Sequence, residues 1–243
     1  SDNKISITDL EKYASCPCRY FVQSVLKANP WKEFDYEIEV PPHIIGNIVH
    51  RTLKQLYDVL LANIEANQNN QELTFERTIL EEILHSEIRR AKTQCSVPHT
   101  VWELTYNSLR NGLAAFVSDD LSQMGEFRYG SGELSISYKF KYKFPESGEV
   151  TLSGRIDRVD QTTEGKGVHI IDYKTGSVNV KPEKLKGGVS LQLPLYLKAV
   201  LDSDETFDPS ISNAQYLRIF SDGSHKRYMI DGKQLEDLSD SLD

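Results

Sequence analysis

The chain of 243 residues is poor in cysteine and has no long hydrophobic run. Its three cysteines, Cys16, Cys18 and Cys95, are too few and too unevenly spaced for a disulfide framework, which favours a reducing compartment, the cytoplasm. No apolar stretch approaches the roughly 18 residues that a membrane-spanning helix needs, and the first residues lack a signal-peptide pattern. The sequence therefore predicts no membrane partner.

Positive charge is also scarce in the chain as a whole. The 28 lysine and arginine residues are outnumbered by 36 aspartate and glutamate residues, so the formal net charge is −8 at pH 7. This balance argues against a protein that binds nucleic acid through bulk positive charge. A catalytic groove needs only a local basic patch, however, because metal ions offset its acidic centre. The stretch from Lys166 to Lys198 is such a patch, with six lysines against Asp172 and Glu183.

Two further absences argue against particular classes of enzyme. No Gly-x-x-x-x-Gly-Lys-Ser/Thr segment is present, so the sequence predicts no nucleotide-driven motor in this chain. Only six histidines occur and only His50 is well placed, which argues against a hydrolase that holds its metal mainly through histidine.

Hydrophobic periodicity predicts helices first and strands afterwards. We expect one domain over residues 1–243, with a mainly helical portion (1–130), an α/β core (131–232) and an acidic tail (233–243). Residues 31–43 are predicted to be irregular, 65–72 to form a linker, and Asp222–Gly223 to form a hairpin turn. The expected helices are about 6–14, 20–26, 44–63, 74–93, 100–123 and 190–202, and the expected strands are 134–142, 150–160, 168–174, 214–220 and 226–230.

Two acidic strand segments carry the candidate chemistry. Alternation along a strand places Asp172 and Lys174 on one face and Tyr173 on the other. Asp157 ends the preceding apolar strand segment, so two carboxylates lie at the ends of adjoining strands. They would repel each other and lose solvation unless a cation joined them. Although an isolated Asp-x-Lys is far more often a surface ion pair, this arrangement favours a metal-and-water hydrolytic site in which Lys174 orients the water or helps to deprotonate it.

The order of five segments resembles the RecB-type nucleases of the PD-(D/E)xK superfamily, which include the nuclease domains of bacterial RecBCD and AddAB helicase–nucleases. The resemblance covers most of the chain, and it implies a restriction-endonuclease-like α/β core with a mixed central β-sheet flanked by helices, plus an N-terminal helical portion. The segments are Leu10–Phe21, Gly46–Leu53, Gly154–Asp160, Ile170–Gly176 and Gln192–Tyr196.

The resemblance implies a set of metal ligands. In such nucleases, the histidine of a Gly-x-x-x-His helix, here Gly46 and His50, joins the two acidic residues on the metal. The implied set is His50, Asp157, Asp172 and the backbone carbonyl of Tyr173, with Mg²⁺ or Mn²⁺ as the cofactor. Imidazole suits Mn²⁺ better than Mg²⁺. The alternative is a structural histidine at the border of the apolar stripe of the helix.

Further residues have two interpretations each. By resemblance, Gln192 and Tyr196 form a Gln-x-x-x-Tyr motif that touches DNA or supports the catalytic lysine, whereas Tyr196 also fits ordinary core packing. Arg155 either reaches a phosphate or forms a structural ion pair. Some relatives hold an iron–sulfur cluster with one early cysteine and three later ones. Cys16 matches the early position, but no cysteine follows Cys95, so either there is no cluster or the chain is a fragment.

These observations predict a metal-dependent deoxyribonuclease, an exonuclease of DNA recombination and repair. Its expected partners are DNA and a helicase segment or subunit outside this chain. Two alternatives stay open: a stand-alone exonuclease of the phage or CRISPR-adaptation kind, and a catalytically idle DNA-binding or structural module.

Overall fold

The structure, a computed structural model, describes residues 4–28, 39–66, 76–142, 148–176, 190–219 and 224–231. No helix within these ranges is long and apolar enough to cross a membrane. The elements in chain order are β1 (Lys4–Ser6), α1 (Ile7–Ser15), α2 (Pro17–Tyr20), a π-helical turn (Phe21–Val25), α3 (Pro42–Ala66), α4 (Arg77–Ala91), α5 (His99–Gln123), β2 (Phe127–Tyr142), β3 (Gly148–Thr162), β4 (Val168–Lys174), α6 (Gln192–Leu201), a 3-10 turn (Pro209–Ile211), β5 (Asn213–Ile219) and β6 (His225–Asp231).

The strands form one mixed six-stranded sheet. Neighbouring strands follow the order β1-β3-β4-β5-β6, and β2 pairs with β3 outside this order. The β1–β3 and β4–β5 pairs are parallel, whereas β2–β3, β3–β4 and β5–β6 are antiparallel. The predicted α/β fold with a mixed central sheet flanked by helices is confirmed.

Two hydrophobic clusters cover the two faces of the sheet, because side chains alternate along each strand. On β4, Ile171 and Tyr173 join the cluster that α3, α4 and α5 build, whereas Val168 and Ile170 join the cluster that α1 and α6 build. The first cluster includes Ile48, Leu53, Leu56, Leu84, Leu113 and Phe116, and the second includes Ile7, Leu152, Ile156, Leu193, Leu197 and Ala214.

Most predicted elements are present, with differences at their ends. Strand β4 has the predicted bounds, but β2 begins at Phe127, seven residues earlier than expected at 134. The short strand β1 was not predicted, since three residues carry too little alternation to be recognised. Residues 222–223 and 233–243 lie outside the described residues, as do most of 31–43 and 65–72.

A buried arginine lies under the sheet on the side of α3 and α5. Arg158 is 1% exposed and binds Asp160 through two parallel hydrogen bonds of 2.7 Å each. It also donates to Asp120 at 2.6 Å and to the hydroxyl of Tyr173 at 3.2 Å, while its guanidinium lies 4.2 Å from the ring centre of Tyr57. Two carboxylates, one tyrosine hydroxyl and one aromatic ring thus compensate one buried cation.

Candidate active site

Asp157 lies where strands β3 and β4 separate. Their backbone pairing runs from Gln161 and Val168 to Arg158 and Ile171. One residue further on, the Asp157 carboxylate accepts a hydrogen bond from the Tyr173 backbone N–H at 2.9 Å. A side chain therefore continues the strand pairing at this point, which fixes the carboxylate beside the end of β4.

Helix α3 brings His50 to the same place. His50 Nδ1 lies 3.2 Å from Asp157 Oδ1, and the imidazole contacts the Tyr173 ring edge-on, 5.9 Å between centres. Burial alone would lower the pKa of His50, but the hydrogen bond with Asp157 and the charges of Asp157 and Asp172 together raise it. One turn earlier, a Cβ added to Gly46 would lie 3.4 Å from Thr175 Oγ1, so glycine lets α3 approach the end of β4 closely.

Asp172, Lys174 and Gln192 form a closed set of contacts on the face of β4 opposite to Tyr173. The buried Asp172 carboxylate pairs with the Lys174 ammonium and accepts a hydrogen bond from Gln192 Nε2 at 2.8 Å. Lys174 in turn donates to Gln192 Oε1 at 3.2 Å. Because an ammonium only donates and a carboxylate only accepts, one orientation of the Gln192 amide satisfies both partners.

Burial and the neighbouring charges shift the pKa values of Asp172 and Lys174. Desolvation raises the pKa of Asp172 to about 6, although the Lys174 ammonium opposes that shift. Burial would lower the pKa of Lys174, yet the net effect of Asp172 and the other nearby carboxylates is to raise it. Lys174 is therefore held as an ammonium beside a carboxylate that ionises reluctantly.

Tyr196 rests on the backbone of β3 at Gly154. Its hydroxyl accepts a hydrogen bond from Gln192 Nε2 at 3.2 Å, and its side chain is buried among the α6 cluster. A Cβ on Gly154 would lie 2.5 Å from Tyr196 Cε1, a distance that real Cβ atoms do not show. The absence of a side chain at Gly154 thus leaves the space that the Tyr196 ring occupies.

We expect Gly154→Ala to lower the free energy of unfolding by about 1–3 kcal/mol, because the new methyl group displaces the ring of Tyr196. Urea unfolding measures this change. The control is Gly176→Ala, since nothing lies within 4 Å of a Cβ at that position. Equal stability of the two variants would show that Tyr196 does not depend on Gly154.

Two residues of this site were not predicted from the sequence. Glu11, on α1, accepts a hydrogen bond from the Gln192 backbone N–H at 2.8 Å. Tyr216 pairs with Asp172 across β4 and β5, and Lys174 Nζ lies 5.2 Å from the centre of its ring. Glu11 is part of one matching segment but had no assigned role, and Tyr216 has no local sequence signal.

Other predicted residues lie apart from these contacts. Arg155 is exposed, and its guanidinium lies 3.8 Å from Glu133, while its contact with a phosphate stays a prediction. Cys16 and Cys18 are exposed and free, and no cysteine among the described residues forms a disulfide. The roles predicted for Cys16 and for the carbonyl of Tyr173 stay predictions.

The donors near the end of β4 fit a hard divalent cation in their chemistry. Two carboxylates and an imidazole are suitable ligands for Mg²⁺ or Mn²⁺. Asp172 Oδ2 makes no hydrogen bond of good geometry with the described residues, and its ion-pair partner is the Lys174 ammonium. As the side chains stand, however, no group of three or more His, Cys, Asp or Glu within the described ranges is arranged as a metal site.

Known proteins resemble the chain in sequence and in fold. The sequence model of the PD-(D/E)XK nuclease superfamily matches residues 4–242. A protein of Clostridioides difficile (strain 630), named as a subunit of an ATP-dependent helicase/deoxyribonuclease, is 34% identical over an alignment of 227 residues that covers 88% of this chain and 19% of that protein. The protein of the same name from Thermoanaerobacter sp. (strain X514) is 30% identical over an alignment of 229 residues that again covers 88% of this chain and 19% of that protein.

A solved structure shares the fold. The structure from Eubacterium rectale, provisionally named an exonuclease, has a TM-score of 0.50 and 8% identity over 99% of this chain and 77% of that chain. The chain spans about a fifth of the length of the curated relatives, since the matched residues are 19% of each. Because the family model covers nearly the whole chain, the chain belongs to the PD-(D/E)XK nuclease superfamily.

Proposed function

We propose that this chain is a metal-dependent deoxyribonuclease domain that hydrolyses phosphodiester bonds in DNA, and that it acts as an exonuclease. One observation carries the proposal: a buried Asp172 is held between Lys174 and Gln192, next to the contact between Asp157 and His50. This pair combines a desolvated carboxylate, 3% exposed, with an ammonium on a side chain that is 35% exposed. It supplies the charges that phosphodiester hydrolysis requires.

The ligands we propose for the cation are His50, Asp157, Asp172 and the Tyr173 carbonyl. A divalent cation bound there would neutralise charge on the scissile phosphate and acidify a water molecule. Asp157 and Asp172 bring negative charge to the site, and His50 lies against Asp157. Gln192 holds the Lys174 ammonium in place. From this position the ammonium orients the attacking water and offsets charge on the phosphate.

The names of the relatives support DNA as the substrate and a helicase as the partner. We propose that the nuclease works in the cytoplasm, in DNA recombination and repair, with a motor supplied outside these residues. A stand-alone exonuclease has the same site and is the second candidate. An idle module is disfavoured, because Asp157, Asp172 and Lys174 are all present and lie at the same end of β4.

Digestion of end-labelled single- and double-stranded DNA beside a circular control tests this function. The reactions contain Mg²⁺, Mn²⁺ or a chelator. We expect the linear substrates to be degraded from their ends with metal and to persist with chelator. Nicking of the circle would indicate an endonuclease, and the absence of any metal-dependent cleavage by the folded chain would favour the idle module.

His50→Ala is expected to weaken Mn²⁺ binding by about tenfold or more, because the imidazole is one of the proposed ligands. Isothermal titration calorimetry measures the affinity. His43→Ala is the control, since His43 lies on the same helix and is exposed. If the affinity of His50→Ala equals that of wild type, His50 has only a structural role beside Asp157.

A further inference from the structure

The start of helix α6 is capped from a distant part of the chain. Its N-cap residue, Leu191, provides no side-chain hydrogen bond. The carboxylate of Glu11, on α1, accepts instead from the backbone N–H groups of Leu191 and Gln192, the latter at 2.8 Å. These N–H groups have no partner within the helix, so a carboxylate is a favourable acceptor there.

Helix α1 is itself held firmly where it presents Glu11. Ser6 caps the helix by accepting from the Asp9 backbone N–H at 3.0 Å, and Ile7 is buried in the same cluster as Leu193 of α6. Strand β1 pairs in parallel with β3 just before α1 begins. The position of Glu11 therefore depends on the sheet and on the core under α6, not on the helix alone.

The charge of Glu11 also acts on the proposed catalytic lysine. Glu11 attracts Lys174, whose ammonium is in contact with Asp172 and Gln192 and lies over the ring of Tyr216. The backbone N–H of Gln192 thus donates to Glu11, while the side-chain amide of Gln192 binds Asp172 and Lys174. A displacement of the first turn of α6 would move this amide directly.

We propose that Glu11 is a positioning residue of the nuclease: it fastens the first turn of α6 and thereby holds Gln192 against Asp172 and Lys174. This inference rests on the proposed function. The existence of α6 does not need Glu11, because the apolar side chains Leu193, Leu195 and Leu197 are buried. Only the geometry at the start of the helix depends on the carboxylate.

The test combines amide hydrogen exchange with steady-state kinetics on the purified 243-residue chain. In Glu11→Ala we expect faster exchange in the peptide that contains Leu191 and Gln192. We also expect kcat for DNA cleavage to fall by roughly tenfold to a hundredfold with KM nearly unchanged, since misplaced catalytic groups lower kcat rather than substrate binding. Glu11→Gln retains an acceptor oxygen and should restore part of both properties.

The matched control is Asp9→Ala, on the same helix. The Asp9 carboxylate binds Ser24 and Lys12 rather than the start of α6, so this variant should keep the exchange and kcat of wild type. An equal loss of kcat in Asp9→Ala would overturn the proposal, because it would trace the effect to α1 as a whole. Unchanged kcat or exchange in Glu11→Ala, or no recovery in Glu11→Gln, would also overturn it.

Failure of the proposed function gives a different result. The wild-type chain would then cleave no DNA, while hydrogen exchange would still report whether Glu11 fastens the start of α6. Circular dichroism of each variant shows that the fold is retained, so that the exchange refers to the folded state.

Discussion

Lys174→Ala is expected to reduce metal-dependent cleavage of linear DNA by about a hundredfold to a thousandfold, the usual effect of removing one preorganised donor from the transition state. Lys174 is the cation of the set that Asp172 and Gln192 close, and its ammonium is held by both. Alanine removes the ammonium that orients the attacking water and offsets charge on the phosphate beside the proposed metal ion. Initial rates of digestion of end-labelled DNA measure the effect.

The fold should survive this substitution. Asp172 keeps its hydrogen bond from Gln192, and loss of the neighbouring ammonium raises the pKa of this buried carboxyl further, so that the group becomes neutral instead of staying buried as a charge. Lys198→Ala is a matched control, because the side chains of Lys174 and Lys198 are each 35% exposed and each paired with an aspartate. Undiminished cleavage by Lys174→Ala would remove Lys174 from the mechanism.

Alternation along β4 allowed the faces of three site residues to be predicted. A period of two residues requires that Asp172 and Lys174 share a face and that Tyr173 lies on the other. The structure confirms this: Tyr173 packs with α3 and α5, whereas Asp172 contacts Gln192 of α6. The helical spacing of Gln192 and Tyr196 similarly predicted one face of one helix, and their side chains are within hydrogen-bond distance.

Contacts between distant segments could not be predicted, because no local pattern records them. The Asp157 carboxylate binds the Tyr173 backbone at a point where two strands separate, and that separation is a property of the sheet. Glu11 binds the backbone of Gln192, which lies 181 residues later in the chain, although the helix of Glu11 has ordinary amphipathic spacing. Which nuclease roles these residues perform stays a prediction.

The burial of Arg158 could not be predicted from the sequence either. A charged residue within a strand is normally expected on an exposed face, as Arg155 is. Asp160 is two residues further along the same strand and shares a face with Arg158, but only the folded chain brings Asp120 of α5 to the guanidinium, so a tertiary contact helps to make the burial favourable. Its hydrogen bond to the Tyr173 hydroxyl anchors the residue between Asp172 and Lys174 from the opposite face of the sheet.

Arg158→Met is expected to lower the free energy of unfolding by about 3–5 kcal/mol, because it leaves Asp160 buried without its cation and removes the closer of the two arginines that pair with Asp120. Urea unfolding measures this loss. Arg155→Ala on the same strand should cost no more than about 1 kcal/mol, since its ion pair is exposed and long. Arg158→Lys should restore little, because an ammonium cannot make the two parallel bonds to Asp160.

A triple variant separates charge from packing as the cause of this loss. Replacement of Asp120 and Asp160 by asparagine in the Arg158→Met background removes the unpaired charge of Asp160 and the charge of Asp120, whose remaining partner is the 26% exposed Arg227, and it keeps the shape of the side chains. If uncompensated charge causes the loss, the triple variant is more stable than Arg158→Met alone. If the two are equally stable, the contacts of the guanidinium with the ring of Tyr57 and its neighbours cause the loss instead.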